Sequence, residues 1–238
     1  MRGLNQSDCL TLWESGQTLH PIDQGLLAVQ TAFPETRDES VADWPLGRRN
    51  RALAELHVAS FGRSLRGWTT CAQCAEKLEF EVDGETLAAM GAAEVENRVA
   101  LGQSEFRLPT SRDLAHLAAQ PEAADAALLL LERCRLDRGR QAGAPLDLNE
   151  QEIEEVGSRL ALADPLAEIL LDFNCPVCGE SFQESLELAS FLWAEFEARA
   201  RRLLLDVHTL ASAYGWGEAE ILGLSAARRE FYLEMVSA

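Results

Sequence analysis

The chain has 238 residues, and its 39 acidic and 21 basic side chains give a formal net charge of −18 at pH 7. This balance argues against nucleic-acid binding, because phosphate contacts depend on lysine and arginine, and it also disfavours an anionic membrane surface. The length suffices for one domain or two small ones. The sequence has no apolar run near the roughly 18 residues of a membrane span, and residues 1–10 lack the apolar core of a signal peptide. We therefore expect a cytoplasmic protein.

Residues 1–66 are predicted to form an N-terminal helical segment. A helix over residues 21–31 begins with proline, which is favourable at the first helical position, and residues 33–43 are predicted to be a linker. A second helix ends at Gly62, a natural C-terminal stop. Its start carries an arginine cluster formed by Arg48, Arg49 and Arg51. The cluster is either a solvated helix start or a docking spot for an acidic partner or for a carboxylate elsewhere in the chain.

Two Cys-x-x-Cys pairs, at residues 71–74 and 175–178, are the strongest chemical signal in the chain. Two intervening residues let a tight turn direct both sulfurs at one point, which is half of a tetrahedral zinc site. Alternating apolar and polar residues follow the first pair and precede the second, so both are predicted to lie on strands. Gly179 follows the second pair, where such a turn commonly needs a positive φ. The predicted ligands of one structural Zn²⁺ are Cys71, Cys74, Cys175 and Cys178.

Two alternatives for the cysteines are disulfides and a thioredoxin-like redox pair. Disulfides are disfavoured in a reducing compartment, which the missing signal peptide suggests. A redox pair requires a Cys-x-x-Cys at a helix N-terminus in a βαβ unit, and neither pair has that setting. Four thiolates also complete a tetrahedral shell and leave no open position for activating water. The sequence therefore predicts a closed, structural site.

The cysteine pairs divide the rest of the chain. Residues 67–82 and 167–187 are predicted to form a small antiparallel zinc ribbon, and residues 83–166 a mainly helical insertion. Within the insertion, Asn149 and Glu152 form a capping-box pattern at the start of a helix. The ion would close a very long loop, so metal binding and folding should be coupled. The predicted fold class is α+β and mostly helical.

Residues 188–238 are predicted to form a C-terminal helical hairpin. Apolar residues recur at three- and four-residue steps to about residue 211, a short helix follows, and Ser225 caps the last one. The helix-turn-helix order invites a DNA-binding interpretation, but acidic side chains occupy the positions that would face the bases. We instead predict a partner-docking surface that includes Tyr214, Trp216, Arg228, Arg229 and Tyr232. The alternative is that the aromatic residues are core.

The sequence contains no recognisable catalytic set. The four histidines lie in unrelated contexts, and neither a glycine-rich phosphate loop nor a nucleophile elbow is present. We therefore predict neither an enzyme nor a small-molecule substrate.

Several short motifs resemble the T-even phage baseplate protein family and its relatives in phage-tail-like contractile injection systems. The most distinctive motif is the Tyr-Gly-Trp segment at residues 214–216 with its continuation to Leu222. The shorter ones are Pro45-Leu46-Gly47-Arg48-Arg49, Arg107-Leu108-Pro109-Thr110-Ser111-Arg112-Asp113-Leu114 and Ala163-Asp164-Pro165. The first cysteine pair lacks the proline of the second, which departs from the ribbon pattern without removing a ligand.

The resemblance implies a non-enzymatic role in building the baseplate or central hub of a contractile particle, as a resident subunit or an assembly factor. The implied partners are other baseplate, hub or tail subunits. Two other classes of function compete with it. A zinc-ribbon regulator that binds nucleic acid or a polymerase would need a basic face. A metalloenzyme or redox protein would need an exposed thiol of low pKa.

Overall fold

The computed structural model describes residues 3–34, 40–90, 98–120, 125–136 and 146–237. Within these ranges the chain forms ten α-helices and three two-stranded antiparallel sheets, so it is a mostly helical α+β protein as predicted. None of the described helices combines the length and apolar character needed to cross a bilayer.

The N-terminal segment contains the helices α1 (Gln6–Gly16), α2 (Pro21–Ala32) and α3 (Leu46–Phe61), with a 3₁₀ turn at Val41–Asp43. The first cysteine pair lies between β1 (Ser64–Thr70) and β2 (Lys77–Asp83). The insertion contains α4 (Gly84–Ala89), β3 (Arg98–Leu101), β4 (Ser104–Arg107), α5 (Ser111–Ala118), α6 (Ala126–Cys134) and α7 (Glu150–Ala163). The second pair lies between β5 (Leu170–Asn174) and β6 (Ser181–Ser185), and α8 (Leu188–Tyr214), α9 (Glu218–Leu222) and α10 (Ala226–Ser237) follow.

Local signals set several of these boundaries as predicted. Pro21 stands at the first position of α2, and Gly62 ends α3 with a φ of 98°. Asn149 and Glu152 form the capping box of α7. The apolar run at residues 128–131 predicts a helix over residues 122–135, which corresponds to α6, although residues 122–124 lie outside the described residues. The glycine- and arginine-rich stretch at residues 138–145, which predicts a loop, and residues 35–39 of the predicted linker also lie outside them.

The helix α8 is the centre of the main hydrophobic core. Its predicted apolar stripe is confirmed, since Leu192, Phe196, Ala200 and Leu210 are almost completely buried. Helices α1, α2 and α3 pack on it, so the N-terminal segment and the C-terminal hairpin share one core. Gly25 permits the close approach of α2, because a Cβ there would lie 2.8 Å from the Cβ of Ala189.

The C-terminal hairpin is held to the core by a buried arginine. Arg229 is 7% exposed, and its Nε donates to Oδ2 of Asp206 at 2.9 Å. Its Nη1 donates to Oε1 of Gln6 at 2.5 Å, so one guanidinium joins α10 to α8 and α1. The prediction that Arg229 docks a partner is therefore corrected: its donors are directed into the protein.

The insertion has its own hydrophobic core. Phe106 on β4, Leu131 on α6, and Val156 and Leu160 on α7 are buried together. This cluster is separate from the main core, so the insertion folds around its own apolar centre.

The insertion meets α3 at a buried polar contact that we call the junction, formed by residues 45–50, 109–111 and 164–166. The N–H of Leu46 donates to the carbonyl of Pro109 at 3.0 Å. The N–H of Gly47 donates to Oδ2 of Asp164 at 2.8 Å. Asp164 thus supplies the side-chain cap that Pro45 cannot give to α3.

Arg49 is part of the junction and not of the surface. It is 3% exposed, and its guanidinium donates to Oδ1 of Asn50 and to Oγ of Ser111. Asn50 in turn donates to the carbonyl of Leu166 at 2.7 Å. The prediction of a docking role for Arg49 is therefore corrected, because its partners lie within the chain.

A buried carboxylate organises the start of α5. Asp113 is completely buried and accepts from Nη1 and Nη2 of Arg107 at 2.6 and 2.9 Å, and from Nε of Arg133 at 2.9 Å. Thr110 donates to it through both its N–H and its hydroxyl. Burial opposes ionisation, but the Arg107 guanidinium and the Thr110 donors outweigh it and lower the pKa of Asp113 to about 2.

Replacing this carboxylate should destabilise the protein. Asp113→Asn is expected to lower the free energy of unfolding by about 3 kcal/mol at pH 7, because a completely buried carboxylate that accepts from two half-buried guanidinium groups loses its charge and part of its acceptor capacity. The folded-state pKa is depressed, so this contribution is present above pH 4 and is lost as the pH falls towards 2. Urea unfolding at several pH values measures the difference between variant and wild type.

The matched control is Asp43→Asn, which removes an exposed ion pair with Arg112. We expect it to cost about 1 kcal/mol or less. Equal costs for the two variants would contradict the structural role given to Asp113.

Candidate metal centre

The first cysteine pair forms a tight turn between β1 and β2. The N–H of Cys71 donates to the carbonyl of Glu76 at 2.9 Å, and the N–H of Ala75 donates to the carbonyl of Cys71 at 2.8 Å. Ala75 has a φ of 60° and is the one non-glycine residue with positive φ in the described part of the chain. This left-handed conformation is costly for alanine, because its Cβ crowds the backbone.

The second pair repeats this turn between β5 and β6. The N–H of Cys175 donates to the carbonyl of Glu180 at 2.8 Å, and the N–H of Gly179 donates to the carbonyl of Cys175 at 2.9 Å. Gly179 has a φ of 77°, as predicted. The two turns are thus equivalent, with Ala75 occupying the position that glycine holds in the second.

The two turns face each other, and their four sulfurs converge. The Sγ atoms of Cys71, Cys74, Cys175 and Cys178 all lie within 4.8 Å of one another. Sγ of Cys71 is 3.6 Å from Sγ of Cys178, and Sγ of Cys74 is 3.5 Å from Sγ of Cys175. A tetrahedral ion with metal–sulfur bonds of about 2.3 Å requires sulfur separations of about 3.8 Å. The four predicted ligands can therefore hold one metal ion.

An aromatic cluster aligns the two hairpins. The ring of Phe80 on β2 lies edge-on to that of Phe173 on β5, with centroids 6.0 Å apart. Phe173 stacks on Phe182 of β6 at 5.4 Å. The predicted strands are confirmed, but they form two separate two-stranded sheets. Side-chain packing and the sulfur cluster, and not a shared backbone ladder, join the two hairpins.

The site lies at the surface with two sulfurs inside and two outside. Cys71 and Cys175 are buried, whereas Cys74 and Cys178 are exposed. The backbone N–H of Cys178 is directed at the Cys175 sulfur and lowers the pKa of Cys175 to about 7, against the opposing effect of burial. The pKa values of Cys74 and Cys178 are raised instead, because the backbone N–H groups that lower them are outweighed by desolvation and neighbouring sulfurs. A thiolate is the form that binds a metal, so binding of an ion would release protons from the cluster.

The remaining cysteines take no part in this cluster. Cys134 is buried in the core of the insertion, where a free cysteine behaves as a small apolar residue. Cys9 is buried in the main core, where burial raises the pKa of its thiol. The four clustered cysteines thus differ from the other two in both position and chemistry.

The other residues predicted to bind a partner are dispersed. Arg48 is exposed and its guanidinium lies 3.8 Å from the Trp44 ring centroid, while Arg51 pairs with Glu55 on the next turn of α3. Arg228 is exposed on α10. Of the three arginines predicted as one cluster, therefore, only Arg48 and Arg51 reach the surface.

The aromatic residues of the C-terminal hairpin form one cluster that is neither fully buried nor fully exposed. Tyr214 stacks on Trp216 at 4.7 Å, and Tyr232 lies edge-on to Trp216 at 4.9 Å. The ring centroid of Phe231 on α10 lies 6.4 Å from that of Tyr232, and Met235 follows one helical turn later. Phe231 and Met235 are 61% and 56% exposed. The sequence did not single out Met235, because a spacing of three or four residues does not distinguish the core face from the outer face of a terminal helix.

Comparison of the chain with models of protein families, with curated proteins and with solved structures finds no match. The candidate metal site is therefore assigned from the geometry of the four cysteines alone.

Removal of one buried ligand should abolish metal binding. We expect purified wild-type protein to contain one metal ion per chain, and Cys71→Ser or Cys175→Ser to contain none. The loss should lower the free energy of unfolding by at least about 4 kcal/mol, the scale of a cross-link that closes a loop of about a hundred residues. Elemental analysis and thermal unfolding measure these effects.

The control is Cys9→Ala, which removes a buried thiol outside the cluster. It should retain the metal ion. Full stability of Cys71→Ser without bound metal would contradict a structural role for the site.

Substitutions at the equivalent positions of the two turns should change the stability of the protein in opposite directions. Ala75→Gly should stabilise the protein by about 0.5–1 kcal/mol, because glycine adopts positive φ without steric cost while gaining some entropy in the unfolded chain. Gly179→Ala should destabilise it by about 1 kcal/mol, since no atom lies within 4 Å of the new Cβ and only backbone strain remains. Thermal unfolding of the metal-loaded proteins tests both, and a destabilising Ala75→Gly would contradict the strain at this turn.

Proposed function

We propose that this protein is a non-enzymatic structural or assembly component of the baseplate or central hub of a contractile, phage-tail-like injection particle, and that one structural Zn²⁺ holds it together. Zinc is the proposed ion because it favours four cysteine thiolates in tetrahedral geometry. A shell filled by four protein ligands leaves no position for substrate or water, which favours a structural role.

The observation that carries the proposal is the convergence of the resemblance motifs. The three short ones lie far apart in sequence, at residues 45–49, 107–114 and 163–165. They meet at the junction through the contacts of Leu46 with Pro109, of Gly47 with Asp164 and of Arg49 with Ser111. Motifs that form one folded contact are more informative together than as separate short matches, so their convergence supports the resemblance.

The C-terminal aromatic cluster is the proposed docking surface for other subunits. Exposed Phe231 and Met235 lie beside half-buried Trp216 and Tyr232, with Arg228 on the same helix. Aromatic side chains and arginine are the residues that contribute most to protein interfaces. An exposed apolar group of this kind is more useful for binding a protein than for stabilising an isolated chain.

Changing this surface should block assembly without unfolding the protein. The double variant Phe231→Ser and Arg228→Glu is expected to remain folded and metal-loaded, because both side chains are exposed. In cells that produce the particle, we expect it to be missing from assembled baseplates by electron microscopy and mass spectrometry. Comparison of purified particles with the cytosol also distinguishes a resident subunit from an assembly factor.

The matched control is Leu162→Ser, which removes an 81% exposed apolar side chain from α7. It should assemble normally. Normal particles made with the double variant would count against the proposed docking surface.

The alternative function, a zinc-dependent regulator that binds nucleic acid or a polymerase, is favoured by one observation on β1 and β2. Trp68 is 60% exposed, and Nζ of Lys77 lies 4.6 Å from its ring centroid. An exposed aromatic ring beside a cation suits base stacking. However, Glu79 is the cross-strand neighbour of Trp68, and Glu81 is that of Arg66, so two carboxylates lie on the same face of the sheet as the aromatic ring. Salt-dependent binding of a single-stranded oligonucleotide at about 0.15 M salt would favour this alternative.

A further inference from the structure

A groove of about 560 Å³ lies beside the junction, between α3, the loop before α5, the helices α6 and α7, and the start of β5. Its walls are mainly apolar and include Leu46, Leu114, Leu130, Ile153, Leu160 and Leu170. Leu170 is 48% exposed and forms part of the rim. The groove has the size and apolar character of a binding site.

The groove is lined by a buried carboxylate that can accept more hydrogen bonds than the described residues donate to it. Asp164 is 5% exposed, and its Oδ2 accepts the N–H of Gly47. Its Oδ1 accepts no hydrogen bond from the described residues, and no guanidinium or ammonium group among them lies within 4 Å of the carboxylate. The enclosed side-chain atoms without a partner among the described residues are Nε1 of Trp13 and Nδ1 of His57, so the second oxygen of Asp164 is accessible. It can accept a further donor from the groove.

The charge of the groove is negative. Besides Asp164, the exposed side chains of Glu168 and Glu187 line it, and Arg49 is its cationic member. The Arg49 guanidinium already donates to Asn50 and Ser111. Carboxylates therefore exceed cations by two, and a bound segment that carries positive charge would balance them.

The lining of the groove includes an exposed glycine that neither backbone conformation nor packing within the described chain requires. Gly157 lies inside α7, where glycine costs about 1 kcal/mol relative to alanine. Its φ is not positive, and a Cβ built on it would meet no atom within 4 Å. Ala161, one turn later, lines the same groove, so α7 presents a flat strip where another helix could approach closely.

We propose that this groove binds an apolar helix of a partner protein, with a lysine or arginine of that helix reaching Asp164, Glu168 and Glu187. The absent side chain at Gly157 leaves room for the helix backbone, and the carboxylates select its charge. A second copy of this chain is a poor occupant, since each copy carries a net charge of −18. The inference rests on the protein-docking part of the proposed function and specifies the partner's chemistry.

The test uses the full-length, metal-loaded protein and a synthetic probe. The probe is a fluorescent helical peptide of about 18 residues with a leucine and alanine face and several lysines, and a matched peptide carries glutamate in place of lysine. Fluorescence anisotropy at about 0.15 M salt measures the dissociation constants. We expect the lysine peptide to bind and the glutamate peptide to bind at least about tenfold more weakly, the effect of one lost charge-assisted contact.

Gly157→Leu is the decisive variant. Its Cβ meets no described atom within 4 Å, so the leucine side chain can extend into the open groove. Leucine also favours the helix, so the protein should be at least as stable as wild type. We expect it to weaken binding of the lysine peptide at least about tenfold. Ser158→Leu, at the neighbouring exposed position outside the groove, should bind like wild type. Glu168→Gln with Glu187→Gln should weaken binding and reduce its salt dependence.

Non-specific attraction of a basic peptide to an acidic protein is unchanged by Gly157→Leu, because the charge is unchanged. Equal affinity of wild type and Gly157→Leu would therefore overturn the proposal. Concentration-dependent self-association that Gly157→Leu abolishes would identify a second copy as occupant and overturn the assignment of a basic partner. The peptide measurement requires no particle, so its failure and the failure of the baseplate assignment are distinguishable.

Discussion

The convergence of four cysteine sulfurs from two distant hairpins is the constraint on which the path of the chain depends. The whole insertion lies between the two cysteine pairs. Closing so long a loop costs conformational entropy, and the side-chain packing that joins the hairpins directly rests mainly on Phe80, Phe173 and Phe182. An ion shared by the four sulfurs would offset that cost through coordination bonds, and the two turns are built alike even though the residue after each pair differs.

The junction is a second and chemically different tie between the same parts. Asp164 ends α7 and caps α3, while Arg49 and Asn50 of α3 bond to the start of α5 and to the chain that leads into β5. The two hairpins on either side of the insertion meet at the cysteine cluster, and the C-terminal end of the insertion is also bonded to α3 at the junction. Between these contacts, the insertion is stabilised by its own hydrophobic core.

The buried charged groups of the chain are engaged in structure. Arg229 pairs with Asp206, and Asp113 pairs with Arg107 and Arg133. Asp164 accepts the N–H of Gly47 with one oxygen, and it also lines the groove, where its other oxygen can accept a donor. Two surfaces of the described residues correspond to the proposed binding roles, namely the C-terminal aromatic cluster and the groove beside α7. Both are suited to contacts with protein, and they are formed by different parts of the chain.

The sequence by itself determined the features that depend on neighbouring residues. The apolar spacing predicted the buried stripe of α8, the Asn149 and Glu152 pair predicted the start of α7, and the paired cysteines and Gly179 predicted the metal-binding turns. Only the tertiary structure decided that the hairpins form separate sheets, that Arg49 and Arg229 are buried, and that α7 lines a groove. The physical reason is that an arginine is buried only when acceptors distant in sequence surround it. Ser111 and Gln6 lie 62 and 223 residues from Arg49 and Arg229, and no local spacing encodes such contacts.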